Sequence, residues 1–168
     1  MNIRVMARCA LFTALMSICA WLSIPTPTGV ISMQTFCLFL ALTVLGGKQG
    51  TLVCLLYLLL GAAGAPVFTG FRGGLGVLLG PTGGFIGGFL VGALVYWLLT
   101  ALKCKPLPVL IWALGVCYLF GAVWYKILFP HNGWQAVAAA CILPYILPDI
   151  LKLTLAAALS KKLKRFLA

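Results

Sequence analysis

Asp149 is the only acidic side chain in 168 residues, and Lys152 follows it three positions later. On a helix that spacing sets the two groups on one face. A carboxylate only accepts hydrogen bonds and an ammonium only donates them. Such a pair can therefore grip a polar ligand that carries a donor beside an acceptor. It can also act as a local ion pair that neutralises itself, and a site can do both while it is empty. Asp149 follows Pro148, which predicts a place in the first turn of a helix, where the dipole and free N–H groups favour a negative charge. An intramembrane acid costs about 2.5–3.5 kcal/mol on insertion scales, so its presence argues for a role in binding.

The second feature is the glycine-rich stretch from Pro66 to Phe85. It is too apolar for a flexible linker. Its glycines permit close approach of backbone to a ligand. Arg72 is the cation of this stretch, and a planar guanidinium suits a carboxylate. A plain loop whose arginine snorkels to the interface is the alternative.

What is missing restricts the chemistry. One acid cannot make a carboxylate pair. One histidine, His131, in the turn-like Pro130-His131-Asn132-Gly133, cannot make a metal cluster. No G-x-x-x-x-G-K-[ST] is present, Gly74-x-Gly76 does not complete a dinucleotide fingerprint, and no serine sits in G-x-S-x-G. The reading is of a binding protein, not an enzyme, with no cofactor and no metal held by this chain.

These groups need elements to position them. Hydrophobic residues make up 64% of the chain and charged ones 8%, against about a quarter charged in soluble domains. That composition calls for lipid as the solvent. Twelve Lys and Arg face one acid, yet they cluster at the ends of apolar runs rather than in a basic stripe. This argues for membrane topology and against nucleic acid. Arg4 and Arg8 ahead of an apolar run imitate a signal peptide, but no small-x-small cleavage site follows, so a retained first helix is expected.

The expected fold is an all-α integral membrane protein, a single six-helix domain over residues 1–168. Six transmembrane helices are expected: about 5–24, stopped by Pro25-Thr26-Pro27-Thr28-Gly29; 32–45; 49–63; 81–102; 107–129; and a last one from Pro148. A short helix before Pro144 is expected to precede that last span, because proline removes a helix donor. Six spans put both termini on one side. That side collects Arg4, Arg8, Lys48, Lys103, Lys105, Lys161, Lys162, Lys164 and Arg165, and the other only Arg72 and Lys126. The bias predicts cytoplasmic termini. The glycine-rich loop between helices three and four, the start of the last span, and Gln34 then share the outer face. A pocket open to the outside is expected there, with aromatic walls from Phe68, Phe71 and Tyr145. The seven cysteines lack metal or redox spacing and read as packing residues. Gly84-x-x-x-Gly88-x-x-x-Gly92 reads as a groove for a neighbouring helix of the same chain, with a homo-oligomer as the other reading.

At these residues the chain resembles a known family. The run Gly70–Phe85, with Gly80-Pro81-Thr82-Gly83-Gly84-Phe85 at its core, is similar to the signature of the biotin-specific S components of energy-coupling-factor transporters, the BioY family. Pro144-Tyr145-Ile146-Leu147-Pro148-Asp149-Ile150-Leu151-Lys152 resembles its second hallmark, a proline-rich turn ending in D-x-x-K. The similarity extends over essentially the whole chain.

The resemblance implies a subunit in a prokaryotic cell membrane that takes biotin from outside. It implies partners: a transmembrane coupling subunit and two ATPase subunits, which use the ATP. It implies that Asp149 and Lys152 hold the ureido ring, that Arg72 pairs with the valerate carboxylate, and that Gln34 contributes. Phe68, Gly70, Phe71, Gly73, Gly74, Pro81, Thr82, Gly83 and Tyr145 would complete the site. Ala10 and Ala14 match the small-residue surface that the family's first helix offers to the coupling subunit. An S component for another vitamin or a metal, or a structural membrane subunit, are the competing readings.

Overall fold

The computed structural model describes residues 2–26 and 29–167. Its elements are helix α1 (Ile3–Trp21), a hairpin of β1 (Ser23–Thr26) and β2 (Gly29–Ser32), then α2 (Gln34–Leu45), α3 (Gly47–Ala62), α4 (Leu75–Leu78), α5 (Gly83–Ala101), α6 (Pro106–Leu128), α7 (Trp134–Cys141) and α8 (Leu143–Leu167). Four helical stretches, 3–21, 83–101, 106–128 and 134–165, are long and apolar enough to cross a membrane. The apolar helices α2 and α3 are shorter, 12 and 16 residues.

The expected first span ends earlier than its apolar run suggests. The chain leaves the helix after Trp21 and turns into the hairpin, where Ser23 pairs with Ser32 and Ile24 with Ile31. Pro25 sits in this isolated two-stranded ribbon opposite Val30, an edge position that tolerates its missing donor. Pro27 and Thr28 of the expected stop lie outside the described residues.

Helix α2 occupies the centre. Residues Cys37 through Thr43 are all buried, and a helix apolar on every side is one enclosed by others. It is flanked by α1, α3 and α8. Helices α5 and α6 form the closest pair, and the expected glycine groove is their seam. A Cβ on Gly84 would stand 2.3 Å from Cβ of Trp124, and one on Gly92 2.7 Å from the carbonyl oxygen of Ala113. The groove is thus filled by α6 of the same chain. Six of the seven cysteines are buried as free thiols, and Cys104 is exposed, in keeping with packing.

The end of the chain corrects one expectation. Helix α8 begins at Leu143, five residues before Pro148, and carries Pro148 inside it. Pro144 falls in its first turn, where a missing N–H is harmless. Asp149 therefore lies in the second turn, away from the free N–H groups expected to hold it. Between α6 and α7 the Lys126 ammonium donates to the carbonyls of Pro130 at 2.7 Å and Asn132 at 2.5 Å. This closes the turn that contains the exposed His131.

Candidate functional site

Asp149 and Lys152 lie on one face of α8, and both are buried, at 3% and 6% exposure. Burial of two charges is tolerable only with close pairing and full hydrogen bonding. Lys152 Nζ donates to Asp149 Oδ1 at 2.8 Å. It also donates to the Ser32 carbonyl at 2.7 Å and to Thr35 Oγ1 at 3.3 Å. Its three hydrogens are thereby used. Asp149 Oδ1 accepts from Thr35 Oγ1 at 2.8 Å, and Oδ2 accepts from the Tyr118 hydroxyl at 2.7 Å. Side chains of α2 and α6 thus do what the helix terminus was expected to do.

A second cluster adjoins the first. Gln34 Nε2 donates to the Tyr57 hydroxyl, which donates to the Val67 carbonyl at 3.0 Å. Gln34 Oε1 accepts from Ser32 Oγ at 2.9 Å and from Thr69 Oγ1 at 3.2 Å. Ser32, on β2, joins the two clusters: its carbonyl serves Lys152 and its hydroxyl serves Gln34. The root of the hairpin, α2, α3, α8 and the glycine-rich segment are held together by this network. Among the described residues no buried side-chain nitrogen or oxygen lacks a hydrogen-bond partner.

These groups wall a cavity of about 470 Å³, within the range of small-molecule sites. Of the residues expected at the site, Asp149, Lys152, Gln34, Arg72, Phe68, Gly70, Pro81, Thr82 and Tyr145 line it. Ser32, Thr35, Thr69, Tyr118, Tyr125 and Phe85 line it too and were not foreseen. Phe85 and Tyr145 stand 6.5 Å apart between ring centres, giving one wall an aromatic character.

Four expected residues lie outside the wall. Phe71 is exposed and stacks on Trp21 at 4.8 Å between ring centres. A Cβ on Gly73 would stand 2.2 Å from the Ala65 carbonyl oxygen, so its role is to let the segment fold tightly on itself. Gly74 donates its N–H to the Gly61 carbonyl at 2.7 Å. Gly83 packs on Leu78, whose carbonyl oxygen a Cβ would meet at 1.7 Å.

The segment between α3 and α5 is anchored at both ends. The buried Phe68 ring lies where a Cβ on Gly61 would be, 2.0 Å from Cζ, so a larger residue at Gly61 would have to displace that ring. Phe68 N–H bonds the Arg72 carbonyl at 2.9 Å, closing a loop through Gly70 and Phe71, both at positive φ. Trp124 donates its indole N–H to the Gly80 carbonyl at 3.1 Å. The loop presents Arg72 at the cavity wall in an exposed position. Its guanidinium makes no hydrogen bond or ion pair among the described residues.

The wall combines a buried acid–ammonium pair, an exposed guanidinium, and apolar and aromatic side chains. It can bind a ligand with a small polar head and an anionic tail. Among the described residues no group of three or more His, Cys, Asp or Glu could hold a metal. On α1, Ala10 and Ala14 are exposed and far from this chemistry in role.

Known proteins resemble this chain throughout its length. The model of the BioY family matches residues 1–168. A protein of Thermotoga maritima named "Biotin transporter BioY" is 39% identical over 165 residues, 96% of each chain. One of Pyrococcus horikoshii named "Probable biotin transporter BioY" is 39% identical, over 92% of this chain and 93% of that relative. The crystal structure of an S-component for biotin from an ECF-type ABC transporter has the same fold, with TM-score 0.85 over 97% of this chain and 92% of the other, at 23% identity.

Proposed function

The chain belongs to the BioY family, and from that premise we propose that it is a substrate-binding membrane subunit for biotin uptake, not an enzyme. One observation carries the assignment of the site. The only carboxylate side chain in the sequence and its Lys152 partner stand together on the wall of a cavity that also reaches Arg72, whose guanidinium has no partner among the described residues. Biotin offers a ureido ring, an apolar bicycle and chain, and a carboxylate. The ureido N–H donates to Asp149 and its carbonyl accepts from Lys152. The apolar part lies against Phe68, Phe85 and Tyr145. The carboxylate pairs with Arg72, for which a guanidinium is geometrically suited.

The topology follows from the same reading. Six helices cross the membrane: α1, α2, α3, α5, α6 and α8, with α2 and α3 short enough to sit within the bundle. The bias of basic residues puts both termini in the cytoplasm and the hairpin, the glycine-rich segment and the start of α8 outside. Biotin enters from outside. A transmembrane coupling subunit docks against the exposed Ala10 and Ala14 on α1, where small side chains allow close helix approach. Two ATPase subunits use the ATP, for which this chain has no P-loop.

Purified protein in detergent should bind biotin and unfold at a higher temperature in its presence. An unchanged unfolding temperature at saturating biotin, with no bound radiolabel, rejects the assignment. If biotin binds and Asp149→Asn combined with Lys152→Ala leaves binding intact, the site is elsewhere.

A further inference from the structure

Thr35 has a hydrogen-bonding pattern that its residue type does not require. Its hydroxyl stands between the acid and the ammonium, 2.8 Å from Asp149 Oδ1 and 3.3 Å from Lys152 Nζ. A carboxylate cannot donate and an ammonium cannot accept. The direction of both bonds is therefore settled: Thr35 donates to Asp149 and accepts from Lys152. This is the pattern that one edge of a cyclic urea presents, an N–H beside a carbonyl. Thr35 lines the cavity together with both partners.

The donors of Lys152 make the consequence specific. All three are engaged, by the Ser32 carbonyl at 2.7 Å, by Asp149 at 2.8 Å and by Thr35 at 3.3 Å. A ligand carbonyl can be served only if one contact is given up, and the longest is the one to Thr35. Asp149 differs: among the described residues Oδ2 accepts from Tyr118 and has a lone pair to spare, so a ligand N–H can be taken up without loss.

We propose that Thr35 is a specificity-determining residue, an internal stand-in for the ligand's carbonyl at Lys152. It satisfies the buried ammonium while the site is empty and yields that hydrogen when a cyclic urea arrives. The inference rests on the biotin reading of the site. Its hydroxyl sets affinity by competition: an exchange of one hydrogen bond for another adds little, whereas filling an unsatisfied buried donor adds much.

Thr35→Val tests this with almost no change of shape. It leaves Lys152 with a free hydrogen, so the empty protein should unfold at a lower temperature and biotin should bind roughly threefold to tenfold tighter, the worth of one ordinary hydrogen bond. Thr35→Ser keeps the hydroxyl and should bind like the parent. The biotin analogue with a protonated imino group in place of the ureido oxygen has no acceptor for Lys152, so it should gain nothing from Thr35→Val. Weaker or unchanged biotin binding by Thr35→Val, or an equal gain for both ligands, overturns the role of Thr35 while leaving biotin binding by the parent protein in place. Should Thr35→Val not fold, Thr35→Ala is measured against the same two ligands with the same expectations. Absence of biotin binding by the parent protein overturns the underlying reading as well.

Discussion

Tyr118 on α6 donates its hydroxyl hydrogen to Asp149 Oδ2 on α8 at 2.7 Å. The carboxylate would otherwise depend on Lys152 and Thr35, both of which bind its other oxygen. Tyr118 thus ties the polar end of the cavity to the helix packed along α5, and the carboxylate plane is held from two directions.

Removing that hydroxyl should be costly to the fold. Tyr118→Phe keeps the ring in place and deletes one hydrogen bond to a buried charge, a loss of about 1.5–3 kcal/mol. Thermal unfolding in detergent should shift downward, and saturating biotin should recover part of the difference by supplying an N–H to the vacated oxygen. A variant as stable as the parent would mean that the bond contributes nothing.

The ion pair separates structural from binding effects. Lys152→Ala leaves Asp149 buried without its cation, which should cost about 3–5 kcal/mol. Pairing Asp149→Asn with Lys152→Met removes both charges and should recover most of that stability, because a buried pair is often no better than neutral residues of similar size. Neither variant should bind biotin. A stable double variant that still binds would take the pair out of the binding site.

How far these residues could be read in advance depends on the range over which they act. Asp149 and Lys152 were visible because they are three residues apart and charged in an apolar chain. Thr35 meets Asp149 across 114 residues of sequence and Tyr118 across 31. Threonine and tyrosine are ordinary in apolar helices, so no local pattern marks them. The long apolar runs and their glycine and proline ends located the helices to within a few residues. Proline misled at α8, since Pro144 is harmless in a first turn and Pro148 is carried inside the helix. The hairpin escaped notice because each strand has only four residues, too few for an alternation to register against the adjoining apolar helix.

Arg72 should behave as a binding residue with no structural duty. It is exposed and its guanidinium has no partner among the described residues. Arg72→Ala should therefore change stability by no more than about 0.5 kcal/mol. Biotin affinity should fall by about tenfold or more, as expected for the loss of a charge-assisted contact. The amide of biotin, which has no carboxylate, should bind both proteins equally. If the amide loses as much as the acid, Arg72 acts on something other than the carboxylate.

The seam between α5 and α6 links packing to the site. A Cβ at Gly92 meets the Ala113 carbonyl oxygen at 2.7 Å and Cys117 Sγ at 2.8 Å. Backbone cannot yield as a flexible side chain can, so Gly92→Val must move α6. Overpacking of this kind costs about 1–3 kcal/mol. Cys117 adjoins Tyr118, so the displacement should also loosen the Asp149 contact and weaken biotin binding. Gly115→Val is the control, because a Cβ there meets nothing within 4 Å. It should leave both stability and binding near parental values, and equal damage from the two would remove the seam from the explanation.

Exposed small residues on α1 make the last expectation separable from all the others. Ala10 and Ala14 lie four residues apart, so they share a face, and both are exposed. Neither lines the cavity. Ala10→Trp with Ala14→Trp should therefore leave stability and biotin affinity of the purified subunit unchanged, because the bulk projects away from the fold. If this face receives the coupling subunit, two indoles there should prevent close helix approach. Cells that depend on this protein for biotin should then lose uptake, and co-purification of the coupling subunit should fail. Mutation of Leu11, between them in sequence and 68% exposed, to Ala removes bulk from the neighbouring surface and should retain uptake. Normal uptake by the double tryptophan variant would place the docking surface on another helix, and a loss of biotin binding in the purified variant would show that α1 communicates with the cavity after all.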